Sequence, residues 1–188
     1  MRAWLLTNTT YGSHLPGDRR GSITSVRDLR PNDPPTTVRI EHNIPGETCE
    51  DEIPGLRAAA SEQMIGPAIY FDLEKASIVL AQFRETAMHR GWVLRAVAIM
   101  PDHFHIVLQV PHDPDPRKML ADFKAYGSRA LSRKYGKPSS KTWWTTNGSK
   151  RKLNDDKALA AAQHYVLKKQ PNPLIVWHPN IGTDGCQA

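Results

Sequence analysis

The stretch from Trp92 to Val110, WVLRAVAIMPDHFHIVLQV, decides how this chain folds. Its first nine residues, Trp92 to Met100, are apolar except for Arg95 and have the length and composition of a buried strand. Pro101-Asp102 then breaks the run, because proline has no N–H and restrains the residue before it. Beyond the break, Phe104, Ile106, Leu108 and Val110 alternate with His103, His105, Val107 and Gln109. That is the two-residue period of a strand with two different faces. Two strands separated by so short a break are expected to form an antiparallel hairpin.

Working outward, residues 1–10 (MRAWLLTNTT) read as a first strand. A helix is expected over about 73–90, carrying Ile78, Val79, Phe83 and Met88, with Gly91 as its stop. A second helix is expected over about 116–135, with an apolar stripe of Met119, Phe123, Tyr126 and Ala130. Residues 141–153 suggest a last strand or hairpin turning at Asn147-Gly148. Asn154 or Asp155 is a suitable N-cap for a third helix reaching about Lys169, ended by Pro171 and Pro173. Leu174–Trp177 reads as a short apolar tail. Residues 23–65 form a Pro-rich, irregular insertion, with a short helix near Leu56–Met64. The order predicts an α+β fold over residues 1–188: a ferredoxin-like β-α-β-β-α-β antiparallel sheet with an inserted loop and an extra C-terminal helix.

Composition narrows the function. Lys plus Arg number 25 against 19 for Asp plus Glu, a formal charge of +6 that favours an anionic partner, nucleic acid first. Two cysteines, Cys49 and Cys186, are too few for a disulfide framework or a Cys-rich zinc site. No apolar run approaches the ~20 residues of a membrane span, and the first residues lack a signal-peptide core. A cytoplasmic protein with no membrane partner is expected.

The chemistry centres on His103 and His105. Two residues apart on a strand, they project from the same face and suit a shared divalent metal, although an exposed histidine pair without function has the same spacing. A cation there would neutralise a phosphodiester and make its phosphorus more electrophilic. Tyr165 is the candidate nucleophile, flanking the apolar stripe Leu159, Ala162 and Val166 beside small Ala158 and Ala161. An ordinary half-buried aromatic would look the same, and Tyr126 is its rival, in line with a packing stripe. Arg19, Arg20, Lys124, Arg129, Arg133, Lys150, Arg151 and Lys169 are candidate phosphate contacts. Trp144 is a candidate platform for stacking unpaired bases, with core packing as its other reading.

The segment Ala98-Ile99-Met100-Pro101-Asp102-His103-Phe104-His105-Ile106-Val107 resembles the signature of single-tyrosine HUH transposases, the REP-associated tyrosine transposases and their transposase-like relatives in particular. Residues 4–22 resemble the opening of one such subgroup, and Tyr165-Val166-Leu167-Lys168-Lys169-Gln170 resembles the family's terminal-helix motif. The resemblance implies His103 and His105 as ligands of Mg²⁺ or Mn²⁺ and Tyr165 as the catalytic nucleophile. It implies cleavage and rejoining of single-stranded or hairpin DNA through a 5′-phosphotyrosine, performed by a homodimer. In the family a polar residue one turn after the tyrosine often completes the metal site. Here Lys169 occupies that place and Gln170 follows, so either a locally shifted helix lets Gln170 serve, or the ligand is water, or the site is weakened. Two further readings remain: a non-catalytic nucleic-acid-binding protein of the same fold, and a metal-dependent phosphodiesterase.

Overall fold

The computed structural model describes residues 1–18, 27–28, 40–41 and 52–180. The chain divides into two compact units. One comprises residues 1–13 and 66–188, the other residues 14–65. In the second unit, β2 (Arg27–Asp28) pairs antiparallel with β3 (Ile40–Glu41), and α1 (Pro54–Glu62) begins with Pro54, whose missing N–H costs nothing in a first turn.

The first unit is built on a five-stranded antiparallel sheet. Its strands are β1 (Arg2–Thr9), β4 (Val93–Ile99), β5 (His103–Val110), β6 (Ser149–Leu153) and β7 (Ile175–Trp177), in the order β6-β1-β5-β4-β7. The expected hairpin is β4–β5, and β6-β1-β5-β4 reproduces the ferredoxin-like order. The tail Leu174–Trp177 is more than a tail: residues 175–177 add a fifth strand on the free edge of β4, and the Leu174 N–H donates to the Ile99 carbonyl at 2.9 Å.

Helices cover both faces. α2 (Leu73–His89) and α3 (Pro116–Tyr135) pack together over one, and α4 (Asp156–Lys168) lies over the other. Each starts on an aspartate that accepts a backbone N–H: Asp72 from Lys75, Asp115 from Arg117 and Asp155 from Ala158. The α2/α3 side holds the larger core, with Trp4, Leu6, Ile99, Phe104, Ile106 and Leu108 from the sheet. Phe83 meets Phe104 and Phe123 edge-on, with ring centroids 4.9 and 5.2 Å apart. The α4 side is thinner and rich in small residues: Ala3, Ala96, Ala98 and Val107 beneath Ala162 and Val166. A β-bulge between Leu94 and Ala96 reverses which residues of β4 face which side.

Two stripes differ from expectation. In α3 the buried row is Met119, Leu120, Phe123, Gly127 and Leu131, while Tyr126 and Ala130 are half-buried. Gly127 is in this row because a Cβ there would stand 3.4 Å from the Trp144 ring, which fills the space. In α2, Met88 is 78% exposed and Thr86 and Ala87 are buried in its place.

Candidate active site

The turn before β5 is held by its backbone. The Asp102 carbonyl accepts the Thr10 N–H at 2.8 Å and the hydroxyls of Thr10 and Ser13, each at 3.1 Å. The Pro101 carbonyl accepts the Phe71 N–H at 2.7 Å, and Met100 donates to the His103 carbonyl at 2.8 Å. A turn pinned this way fixes where β5 begins, and with it the two histidines.

His103 and His105 project to the α4 side with ring centroids 5.0 Å apart. The Asp102 carboxylate lies 2.5 Å from His103 Nδ1, which leaves Nε2 as the outward nitrogen. Thr7, directly opposite in the β1–β5 register, places Oγ1 at 2.6 Å from His105 Nδ1. His105 is buried, and burial pushes its pKa down to about 4, with repulsion from His103 adding to the effect. Its ring is therefore neutral at neutral pH, as a metal-binding imidazole must be.

α4 brings Tyr165 to the pair. Ala162 and Val166 are its buried contacts with the sheet, and Tyr165, beside them, lies with its ring centroid 5.4 Å from that of His105. The tyrosine remains 44% exposed, so its side chain is open to solvent. The helix ends at Lys168, with Lys169 as its cap. Gln170 then turns back. Its Nε2 donates to the Tyr165 carbonyl at 3.1 Å, and the nearness of its side chain to His105 offsets part of the lowering by burial.

Among the described residues no three His, Cys, Asp or Glu side chains group as a metal site. A metal here would draw on His103 Nε2, His105 Nε2 and the Gln170 amide oxygen. That donor set fits a divalent cation: both imidazoles are anchored through Nδ1, and the third donor is a neutral oxygen. Two nitrogens in the set suit Mn²⁺ better than Mg²⁺.

The family model for IS200-like transposases matches residues 70–168, more than half of the chain. The chain belongs to the family of IS200-like transposases. No curated protein matches it. Among solved structures it is similar to a REP-associated tyrosine transposase bound to a REP hairpin, at 11% identity and a TM-score of 0.45, over 89% of this chain and 66% of that one. It is also similar to a candidate transposase from Deinococcus radiodurans R1, at 13% identity and a TM-score of 0.46, over 88% of this chain and 89% of that one.

This family member distributes its candidate DNA contacts unevenly. Arg151 lies opposite Leu5 in the register and Ser149 opposite Thr7, so both share the sheet face of His105. Lys150 and Lys152 point to the other face, where the Lys152 ammonium sits over the Trp4 ring. Arg129 and Arg133 are exposed on α3, on that same far side, and Arg129 stacks over Tyr126. Lys169 is exposed at the end of α4, near Tyr165.

Two assignments need correction. Trp144 is 3% exposed, packs edge-on against Phe71 and Phe104, and donates its indole N–H to the Lys124 carbonyl, so it cannot stack on bases. Lys124 has three ammonium donors and spends them on the Asn8 side chain and the Thr145 and Asn147 carbonyls, at 3.2, 2.6 and 3.0 Å, which makes it a brace for the loop before β6. Arg19 and Arg20 lie outside the described residues. No described helix is long and apolar enough to cross a membrane. Sequence reasoning did not single out Thr7 or Asp102. Asp102 was detectable as the neighbour of His103, whereas Thr7 meets His105 only through strand pairing.

Proposed function

We propose that this transposase cleaves and rejoins single-stranded DNA through a covalent bond to Tyr165. The observation that carries the reading is one row of side chains from a single chain, His103, His105 and Tyr165, with ring centroids 5.0 and 5.4 Å apart. In cleavage, Tyr165 Oη loses its proton and attacks the scissile phosphorus. The P–O bond to the 3′ oxygen breaks, that oxygen leaves as a 3′-OH, and the 5′ phosphate stays esterified to the tyrosine. In rejoining, an incoming 3′-OH attacks the phosphotyrosine and restores Tyr165. The ester conserves the bond energy, so no nucleotide cofactor is required.

His103, His105 and Gln170 would hold Mg²⁺ or Mn²⁺, which supplies charge neutralisation and orientation at the phosphate. Arg151 and Lys169 would grip the neighbouring backbone, since one shares the histidines' sheet face and the other caps the tyrosine helix. The substrate is single-stranded or hairpin DNA. A homodimer, as the resemblance implies, would carry two sites, each complete within one protomer.

The test is incubation with single-stranded hairpin DNA and Mn²⁺, followed by denaturing electrophoresis. A covalent adduct that disappears in Tyr165→Phe and in His103→Ala is expected. Cleavage with no adduct would instead indicate a phosphodiesterase using water, and retardation with neither a non-catalytic DNA-binding protein.

A further inference from the structure

We infer that Thr9 is a further DNA contact of the site: its hydroxyl donates a hydrogen bond to a phosphate oxygen of the bound strand beside His103, and Lys124 is the positioning residue that aims it. This rests on the reading of the histidine face as the place where a DNA strand is cleaved.

Two threonines of β1 stand opposite the two histidines of β5, Thr7 across from His105 and Thr9 across from His103. Paired side chains of neighbouring strands leave the same face about 5 Å apart. Thr7 commits its hydroxyl to the His105 ring. His103 takes the Asp102 carboxylate instead, so Thr9 is not drawn to the ring it faces. The Thr9 hydroxyl is oriented from the opposite side of the sheet.

A chain of donors reaches it from α3. The Lys124 ammonium donates to Asn8 Oδ1 at 3.2 Å, which fixes the orientation of that buried amide. Asn8 Nδ2 donates to the Thr9 carbonyl at 2.7 Å and to Thr145 Oγ1 at 3.4 Å. The Thr145 N–H reaches the same carbonyl at 3.1 Å, and a carbonyl oxygen has only two lone pairs. So the Thr145 hydroxyl, although 3.2 Å from that filled carbonyl, gives its proton to Thr9 Oγ1 at 2.7 Å. The Thr9 proton is then left over, and no described residue accepts it. Donors in series polarise one another, and this series begins on a cation, so the half-buried Thr9 hydroxyl at its end is a strengthened donor. An anionic oxygen is the acceptor that matches it, and a phosphodiester held at His103 and His105 would bring one there. The turn that carries Thr145 is shaped to hold this line. Lys124 also grips the Thr145 and Asn147 carbonyls, and a Cβ on Gly148 would stand 2.4 Å from Asn8 Oδ1.

The test uses the full chain in Mg²⁺, with oligothymidylate as the probe strand. In spectra of protein carrying ¹³C-methyl threonine, the Thr9 signal should shift as oligothymidylate is added and stay in place with the uncharged methylphosphonate oligomer. Binding followed by fluorescence anisotropy should weaken about 10- to 100-fold in Thr9→Val, the loss of one hydrogen bond to a charged group, and be kept in Thr9→Ser. Lys124→Met should weaken binding by a smaller factor in the wild-type background and by none in Thr9→Val, because it acts only through that hydroxyl. Thermal melts confirm that each variant folds, and a Thr9→Val that fails to fold leaves Thr9→Ala and the wild-type spectra to decide. The inference is overturned by a Thr9 signal that ignores oligothymidylate, by a folded Thr9→Val that binds it as the wild type does, or by a Lys124→Met loss that persists undiminished in Thr9→Val. The adduct with hairpin DNA is scored separately. Thr9-dependent binding in a protein that forms no adduct would sink the strand-transfer reading and leave this contact standing, whereas an adduct in a protein that binds oligothymidylate equally well without the Thr9 hydroxyl would do the reverse.

Discussion

Replacing Val166 with alanine should loosen the helix that carries Tyr165. Val166 is fully buried and, with Ala162, forms the buried underside of α4. The substitution removes two methyl groups, worth about 1.6 kcal/mol of burial at ~0.8 kcal/mol each. A residual cavity adds about 1 kcal/mol, because alanine-rich neighbours have few atoms with which to fill it. The better helix propensity of alanine returns about 0.5 kcal/mol. The net loss is about 2 kcal/mol, concentrated where α4 meets the sheet. Urea melting should report that loss in global stability. Native-state hydrogen exchange should show α4 amides opening about 30-fold more often, since 1.4 kcal/mol is a factor of ten. A loss below about 0.5 kcal/mol, the range of ordinary surface changes, would refute the reasoning. So would α4 amides that exchange at the wild-type rate while β5 amides accelerate.

Two titrations test the electrostatics. Burial, helped by Lys150, brings the Lys124 pKa down to about 8, while an unfolded lysine titrates at about 10.4. Between those values the unfolded chain binds more protons than the folded one, so this group adds stability as pH rises through the window. Urea melts at the two ends should show that gain in wild type and its absence in Lys124→Met, and a wild-type slope of opposite sign would contradict the burial of Lys124. At Tyr135, the hydrogen bond to Glu74 pushes the phenol up to about 12. Of the chain's five tyrosines, one should show its phenolate absorbance late, and Tyr135→Phe should remove that late step. A wild-type titration with no such late step would rule the bond out.

What could be read in the sequence was local. The alternation in β5 put His103 and His105 on one face, the Pro116–Tyr135 helix was legible from its apolar spacing, and Asp155 was legible as a cap. What escaped depended on distant partners. Three apolar residues at 175–177 carry no signal of the β4 edge they complete. Trp144 sits close in sequence to Lys150, Arg151 and Lys152, yet it belongs to a core assembled from Phe71 and Phe104. Strand alternation also divides those three cations between two faces, a division that appears only once the pairing of β6 with β1 is known. The site shows the same split: both histidines and the tyrosine were nominated from short motifs, whereas the Thr7 contact needed the β1–β5 register.

The bulge at Arg95 works like a frameshift in a two-letter code. Before it, Leu94 belongs to the side of α2 and α3. After it, Val97 and Ile99 belong there, and Ala96 and Ala98 lie under α4. Remove the one extra residue and every later position of β4 changes sides: the alanines pass beneath α2, and the bulky pair rises under the helix of Tyr165. The height of that helix above the histidines is thus set by a count of residues as much as by their kind. A single-residue deletion at Arg95 should therefore do more harm to the site than any one substitution in the same strand.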